Sequence, residues 1–360
     1  MAIEPILPST IRPSCTALLP GHTTMKKRSL RHIPLLLAGA LAIGSLSPAV
    51  IVAGQAKKTG TYKAPRTPWG DPDLQGNYTN LYEAGTPLER PEQFAGRRLN
   101  EISGEELRAF KKSIQDNTIQ RFETPFDAPS NWWQVAFRLD DSAQAWLIVD
   151  PEDGKVPPLT PEAQQRDAAR LRARQSSGRG PADSYEDRSL YDRCITRGFP
   201  TSGMPTIYGN SSRIVQGPGY VAIQYEMIHE TRIIPVDRDP RAHVGRTIRL
   251  DMGDSRGHWE DDTLVVETTN FNMRSVFRNA NAETLHFTER FTRTAPNKVR
   301  WSVTVDDPKT WTKPWTFSMP LTMTNSEPIM QYECHEGNYG LRNILSAARA
   351  DDNAAAADGR

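Results

Sequence analysis

From about residue 211 the chain adopts a period of two and holds it for more than a hundred residues. In the clearest stretch Trp315, Phe317, Met319 and Leu321 share one parity, and Thr316, Ser318, Pro320 and Thr322 share the other. Alternation of this kind places successive side chains on opposite faces of an extended strand, one face apolar and one polar. It predicts strands over 212–216, 220–236 (read as one long strand), 247–252, 262–271, 284–294, 298–306, 315–323 and 329–334. Turn signals fall between them at Pro218-Gly219, Asp261-Asp262, Ala295-Pro296-Asn297 and Asn325-Ser326. Many strands joined by short turns, with no helix between them, imply an antiparallel sheet that closes on itself. The expected class is therefore mainly β, an antiparallel β-barrel.

Upstream of 211 the pattern is mixed. A first strand is expected over 74–80, after the punctuation of Asp71-Pro72-Asp73. A short helix follows over 103–113 with Glu105 and Glu106 in its first turn, and a second over 161–175 with Pro161 at the first helical position. These make a helical insert at about 85–190. The aromatic segment 131–150 (Trp132, Trp133, Phe137, Trp146) reads as a hairpin. Beyond the sheet, 338–350 reads as a C-terminal helix and 351–360 as a disordered tail.

The N-terminal part reads as an address. Met25-Lys26-Lys27-Arg28 opens a basic stretch, an apolar run follows to about Val52, and Ala53-Gly54-Gln55-Ala56 supplies small residues for cleavage, so 25–56 reads as a secretory signal peptide. Residues 1–24 then read as an extension of the gene start, 57–70 as a linker, and 71–350 as one barrel domain. The whole chain has 44 Lys+Arg against 43 Asp+Glu. Removing 1–56 leaves 39 basic and 42 acidic residues. A mildly acidic protein offers no basic face for phosphates, so no nucleic-acid partner is expected. Stable membrane insertion after cleavage is not expected either, because no apolar run of spanning length remains. Localisation in the periplasm or outside the cell follows, and there the two remaining cysteines, Cys194 and Cys334, invite a disulfide.

Alternation also exposes residues that break the rule. On the apolar parity of 220–236 lie Val221, Ile223, Tyr225, Met227 and then His229; in 284–294 Glu289 sits between Phe287 and Phe291. A carboxylate on an apolar face costs several kcal/mol unless it is paired. Two readings stay open. His229 and Glu289 form an acid–base couple assisted by Tyr225, or Glu289 pairs structurally with Arg232 or Arg249. The polar run Gly253 to Asp262 reads as a loop at the barrel mouth, bringing His258 as a further catalytic candidate. At Cys334-His335-Glu336-Gly337, the residues His335 and Glu336 follow a cysteine held in place and are candidate ligand contacts. Trp301, Trp315, Phe287 and Phe291 are the expected aromatic lining of a ligand cavity.

No cofactor is expected, since no GxGxxG or Walker A string occurs. No GxSxG elbow occurs either. His229, His258 and His335 lack ligand spacing such as HxxxH, so no metal is assigned, although a three-histidine hydrolase stands as an alternative.

Several long strings occur together: Pro68-Trp69-Gly70-Asp71-Pro72-Asp73-Leu74-Gln75-Gly76, Arg193-Cys194-Ile195-Thr196-Arg197-Gly198, and Tyr332-Glu333-Cys334-His335-Glu336-Gly337-Asn338-Tyr339. With Leu264-Val265-Val266-Glu267-Thr268-Thr269-Asn270 they resemble a large family of exported, largely uncharacterised bacterial proteins across nearly all of the chain after residue 56. Gly76-Asn77-Tyr78 resembles the Gly-x-Trp opening of lipocalins, with Tyr for Trp, which implies a lipocalin-like barrel. The leading functional expectation is a cofactor-independent lyase or isomerase transferring protons on a small aromatic, terpenoid or sugar-derived molecule. A lipocalin-like binding protein without turnover and the metal-dependent hydrolase are the alternatives. Sequencing the N-terminus of the exported protein checks the address: it is expected to start near residue 57, and a start at Met1 contradicts it.

Overall fold

The computed structural model describes residues 62–123, 144–206, 208–237, 242–325, 329–332 and 334–357. The chain divides into two units, Met1–Lys58 and Thr59–Arg360. The first lies outside the described residues, as do 124–143, which hold most of the expected aromatic hairpin.

Ten strands follow in chain order: β1 (Gly76–Thr79), β2 (Ile148–Asp150), β3 (Ser211–Gly217), β4 (Tyr220–Tyr225), β5 (Thr231–Pro235), β6 (Asp254–Glu260), β7 (Thr263–Thr269), β8 (His286–Ala295), β9 (Lys298–Asp306) and β10 (Trp315–Met323). Nine run in the spatial order β5-β4-β3-β1-β10-β9-β8-β7-β6, and β2 adds to β10 off this path. Every neighbouring pair is antiparallel. The protein is therefore a mainly β, nearly closed antiparallel barrel. Three helices accompany it among the described residues: α1 (Gly104–Glu123) and α2 (Pro161–Ser176) between β1 and β3, and α3 (Tyr339–Ala357) at the C-terminal side. None is long and apolar enough to cross a membrane.

Closure follows from strand number. An odd run of antiparallel strands leaves its first and last members pointing the same way, so the seam between β5 and β6 must be parallel. It is formed by a single bridge, Val236 with Gly257, extended by the Asp237 N–H donating to the Gly257 carbonyl at 3.2 Å. Glycine at this point lets the backbones approach. A Cβ on Gly257 would lie 3.1 Å from Val236 Cγ2 and 3.2 Å from Ile234 Cγ2.

Several expected elements take another form. The long strand over 220–236 is broken into β4 and β5 by a reversal at Glu226–Glu230, where Ile228 (φ 61) and His229 (φ 56) adopt left-handed backbone. The Tyr225 N–H donates to the Glu230 carbonyl at 2.9 Å and closes the turn. The inward parity changes with it, from Val221, Ile223 and Tyr225 in β4 to Arg232 and Ile234 in β5. The polar stretch read as a mouth loop is itself strand β6, because pairing with β7 satisfies its backbone. Residues 247–252 and 329–332 form no strand; the former contributes only the Leu250–Phe271 bridge. The first helix extends to Glu123, and α3 runs on to Ala357 through residues placed in a tail.

The interior holds Phe287, Phe291, Val299, Trp301, Val303, Val305, Trp315, Phe317 and Met319, all buried. A smaller cluster of Phe94, Leu107, Phe110 and Trp146 seats α1 beside the barrel. There Lys111 Nζ meets Glu83 Oε2 at 3.1 Å with both side chains buried; burial pushes the Lys111 ammonium below its usual range, and Glu83 opposes that shift. Cys194 and Cys334 form a disulfide with Cα atoms 5.7 Å apart, fastening the segment before α3 to the loop after α2. Replacing both cysteines by serine is expected to lower unfolding free energy by about 2–5 kcal/mol, read by urea denaturation. An unchanged midpoint contradicts a stabilising role.

Candidate functional site

Glu289 lies at the centre of the barrel and is fully buried. Its partner is Arg232, one of the two arginines that the alternation leaves open. Arg232 Nη2 donates to Glu289 Oε2 at 2.6 Å and Nη1 to Oε1 at 3.1 Å. Trp301 Nε1 donates to Oε1 at 3.0 Å. The guanidinium also reaches the Tyr225 hydroxyl (3.2 Å), Ser255 Oγ (2.8 Å) and Thr268 Oγ1 (3.1 Å), and lies over the Phe199 ring at 4.2 Å. Burial alone disfavours the charged guanidinium, but Glu289 and Tyr225 outweigh it and raise the Arg232 pKa. Burial, with Glu289 adding to it and Arg232 opposing, pushes the Tyr225 phenol up to about 12. A neutral phenol and a bidentate ion pair, with both Glu289 oxygens engaged and only Arg232 Nε left without a partner, make a structural network rather than a pair of groups free to exchange protons.

His229 is not part of this network. The β4–β5 reversal carries it out of the interior series, and its Nδ1 accepts the Tyr332 N–H at 3.1 Å. His258, on edge strand β6, has Nε2 3.3 Å from Glu260 Oε1. His335 and Glu336 are exposed at the bend beyond Cys334. The three histidines are not gathered: among the described residues no three His, Cys, Asp or Glu side chains could hold a metal ion together.

The four aromatic candidates all point inward, where they pack on one another and on their neighbours. Phe291 stacks near Trp301 (centroids 6.3 Å apart), Trp301 meets Phe317 edge-on at 5.6 Å, and Phe287 meets Phe199 at 5.0 Å. Trp315 packs against Trp311 at 5.7 Å. Beside Phe291 and Trp301 one small cavity is left, also lined by Asn80, Ser202, Asn210 and Tyr225, in which about 20 Å³ admits the centre of a water molecule. That is room for about one or two waters and no larger ligand.

Alternation gave no sign of Glu230, because it lies in the reversal rather than on a strand. Its carboxylate accepts from Thr196 Oγ1 at 2.6 and 2.8 Å and from Ser202 Oγ at 3.3 Å, and Ser202 is in the cavity wall. Burial raises its pKa, with those hydrogen bonds opposing.

A larger opening lies at the other end of β4. Trp69, Asp71, Pro218, Gly219, Val236, Asp237, His258 and Trp259 line a groove of about 560 Å³ over the β5–β6 seam. Trp69 is 37% exposed, and its indole N–H donates to Asp71 Oδ2 at 3.0 Å, which orients the ring. This volume falls in the usual range for small-molecule sites. Sequence reasoning singled out His258 here, in the polar run that also holds Trp259, but not the groove's other residues, which come from three distant segments.

Comparison with protein-family models and with curated proteins finds no match for this chain.

The raised Glu230 pKa has a definite sign. The folded protein holds the proton more tightly than the unfolded chain, so stability is highest with Glu230 protonated. It declines as pH rises from the ordinary carboxylate value, about 4.3, through the higher folded value. Glu230→Gln is expected to remove that decline in urea midpoints measured across this window; an identical slope in the variant contradicts it.

Proposed function

We propose that this chain is an exported, lipocalin-like binding protein of the family its motifs resemble, and that its ligand is a small sugar-derived molecule held in the Trp69–Trp259 groove. The observation that carries this reading is the contrast in room. The groove offers about 560 Å³, whereas the interior cavity admits little more than water. An oriented Trp69 ring suits the C–H face of a sugar, while the Asp71 and Asp237 carboxylates and the His258 imidazole suit its hydroxyls. Export is supported by the basic and apolar N-terminal pattern and agrees with the disulfide.

The second reading is the lyase or isomerase, and one observation favours it: an imidazole and two carboxylates line the same groove. Proton transfer then belongs to His258. Glu289 is a weaker choice, because Arg232 and Trp301 occupy its oxygens.

Tryptophan fluorescence titration with glucose, galactose and cellobiose tests the binding reading. Saturable change is expected with at least one sugar, and Trp69→Ala is expected to weaken it by roughly thirtyfold, the usual consequence of losing a central aromatic anchor. No response to any of the three, or unaltered affinity in Trp69→Ala, contradicts it. Turnover of a bound sugar that His258→Asn abolishes, with binding retained, selects the catalytic reading.

A further inference from the structure

At the end of β4 opposite the groove, Arg197 has no acidic partner among the described residues. It is half-buried, and its Nη1 is sealed from solvent with no hydrogen-bond acceptor. Its surroundings are phenolic. The guanidinium lies 5.7 Å from the Tyr191 ring centre, and the groups acting on its charge are Tyr191, Tyr208 and Tyr332. Tyr208 and Tyr332 stack with centroids 6.5 Å apart, and the Tyr191 hydroxyl donates to Met227 Sδ at 3.7 Å. Glu230 of the β4–β5 reversal lies against this loop. It takes the Arg197 backbone N–H together with Thr196 and Ser202, so it is tied to the loop rather than to the guanidinium.

The cluster is assembled from three separate segments and is held in place. The Cys194–Cys334 disulfide fixes the strand of chain bearing Tyr332 to the loop bearing Arg197, and the Tyr332 N–H donates to His229 Nδ1 at 3.1 Å. Tyr191 and Tyr208 are 38% and 37% exposed, so the cluster opens to solvent. A desolvated guanidinium without a counter-charge is costly, and an oxyanion entering beside it supplies both the charge and the acceptors that are missing. Burial raises the Tyr191 and Tyr332 phenols above the usual range, which favours their protonated, hydrogen-bond-donating form.

We propose that Arg197, with Tyr191, Tyr208 and Tyr332, forms a binding site for an oxyanion, a small carboxylate or a phosphate, distinct from the groove at Trp69. His229 acts there as a positioning residue through the Tyr332 backbone. The inference stands independently of the sugar reading.

Calorimetric titration of the full exported chain with sodium benzoate and, separately, inorganic phosphate at constant ionic strength tests it. Saturable binding of one probe is expected, and which probe binds distinguishes the carboxylate from the phosphate. Arg197→Gln is expected to weaken that binding by at least about tenfold and Tyr332→Phe by about fivefold, the scale of losing a charge-assisted and a neutral hydrogen bond. Trp69→Ala is expected to leave it unchanged. No saturable binding of either probe overturns the proposal, as does wild-type affinity in Arg197→Gln. Should near-ultraviolet dichroism show Arg197→Gln to be misfolded, wild-type affinity in a folded Tyr332→Phe overturns it instead.

Discussion

A barrel of nine antiparallel strands cannot close on an antiparallel seam, and the Arg232–Glu289 pair answers that constraint from inside. The β5–β6 seam has one backbone bridge. Arg232 projects inward from β5 and spans it, bonding Ser255 on β6, Thr268 on β7 and Glu289 on β8, while Tyr225 on β4 holds its other side. One side chain thus ties five consecutive strands of the closed cylinder, across the position where the ladder is weakest. Two charges in an apolar interior are expensive to desolvate, and what offsets that cost is the bidentate pairing: both carboxylate oxygens are engaged and Trp301 supplies a further donor, while Arg232 Nε is left without a partner.

This arrangement also determines where function can sit. The ion pair and the aromatic residues fill the barrel, and the cavity beside Phe291 and Trp301 among the described residues admits little more than water. Larger openings lie on the outside instead: the groove over the seam, where Pro218-Gly219 leads into β4, and a second of about 470 Å³ beside β2, lined by Gln144, Trp146 and Ile148. The groove is lined partly by the residues that make the seam bridge, Val236 among them, so whatever seals the seam also shapes the groove.

Much of this was legible in the sequence. The bounds of β9 and β10 follow from alternation alone, since both strands are long and their apolar parity is unbroken. Glu289 was recognisable as an anomaly between two phenylalanines, and Arg232 as one of two arginines able to neutralise it. The hairpin at Glu226–Glu230 was hidden because its left-handed residues are Ile228 and His229, not glycine or asparagine, and because Met227 is buried and prolongs the apolar series through the turn. Reading β4 and β5 as one strand placed His229 inside and concealed the change of parity that turns Arg232 inward. Both proposed sites escaped for a different reason. Trp69 and Trp259, or Arg197 and Tyr332, are distant in sequence, and only closure of the barrel and the disulfide bring such segments together.

Amide hydrogen exchange on Arg232→Lys measures the central claim most directly. Lysine keeps a positive charge near Glu289 but lacks the planar fork needed to reach β6, β7 and β8 at once. The account predicts faster exchange concentrated in Thr231–Pro235 and Asp254–Glu260, with β9 and β10 as protected as in the parent protein. Exchange that stays at parent rates along the seam, or that rises equally in every strand, contradicts it.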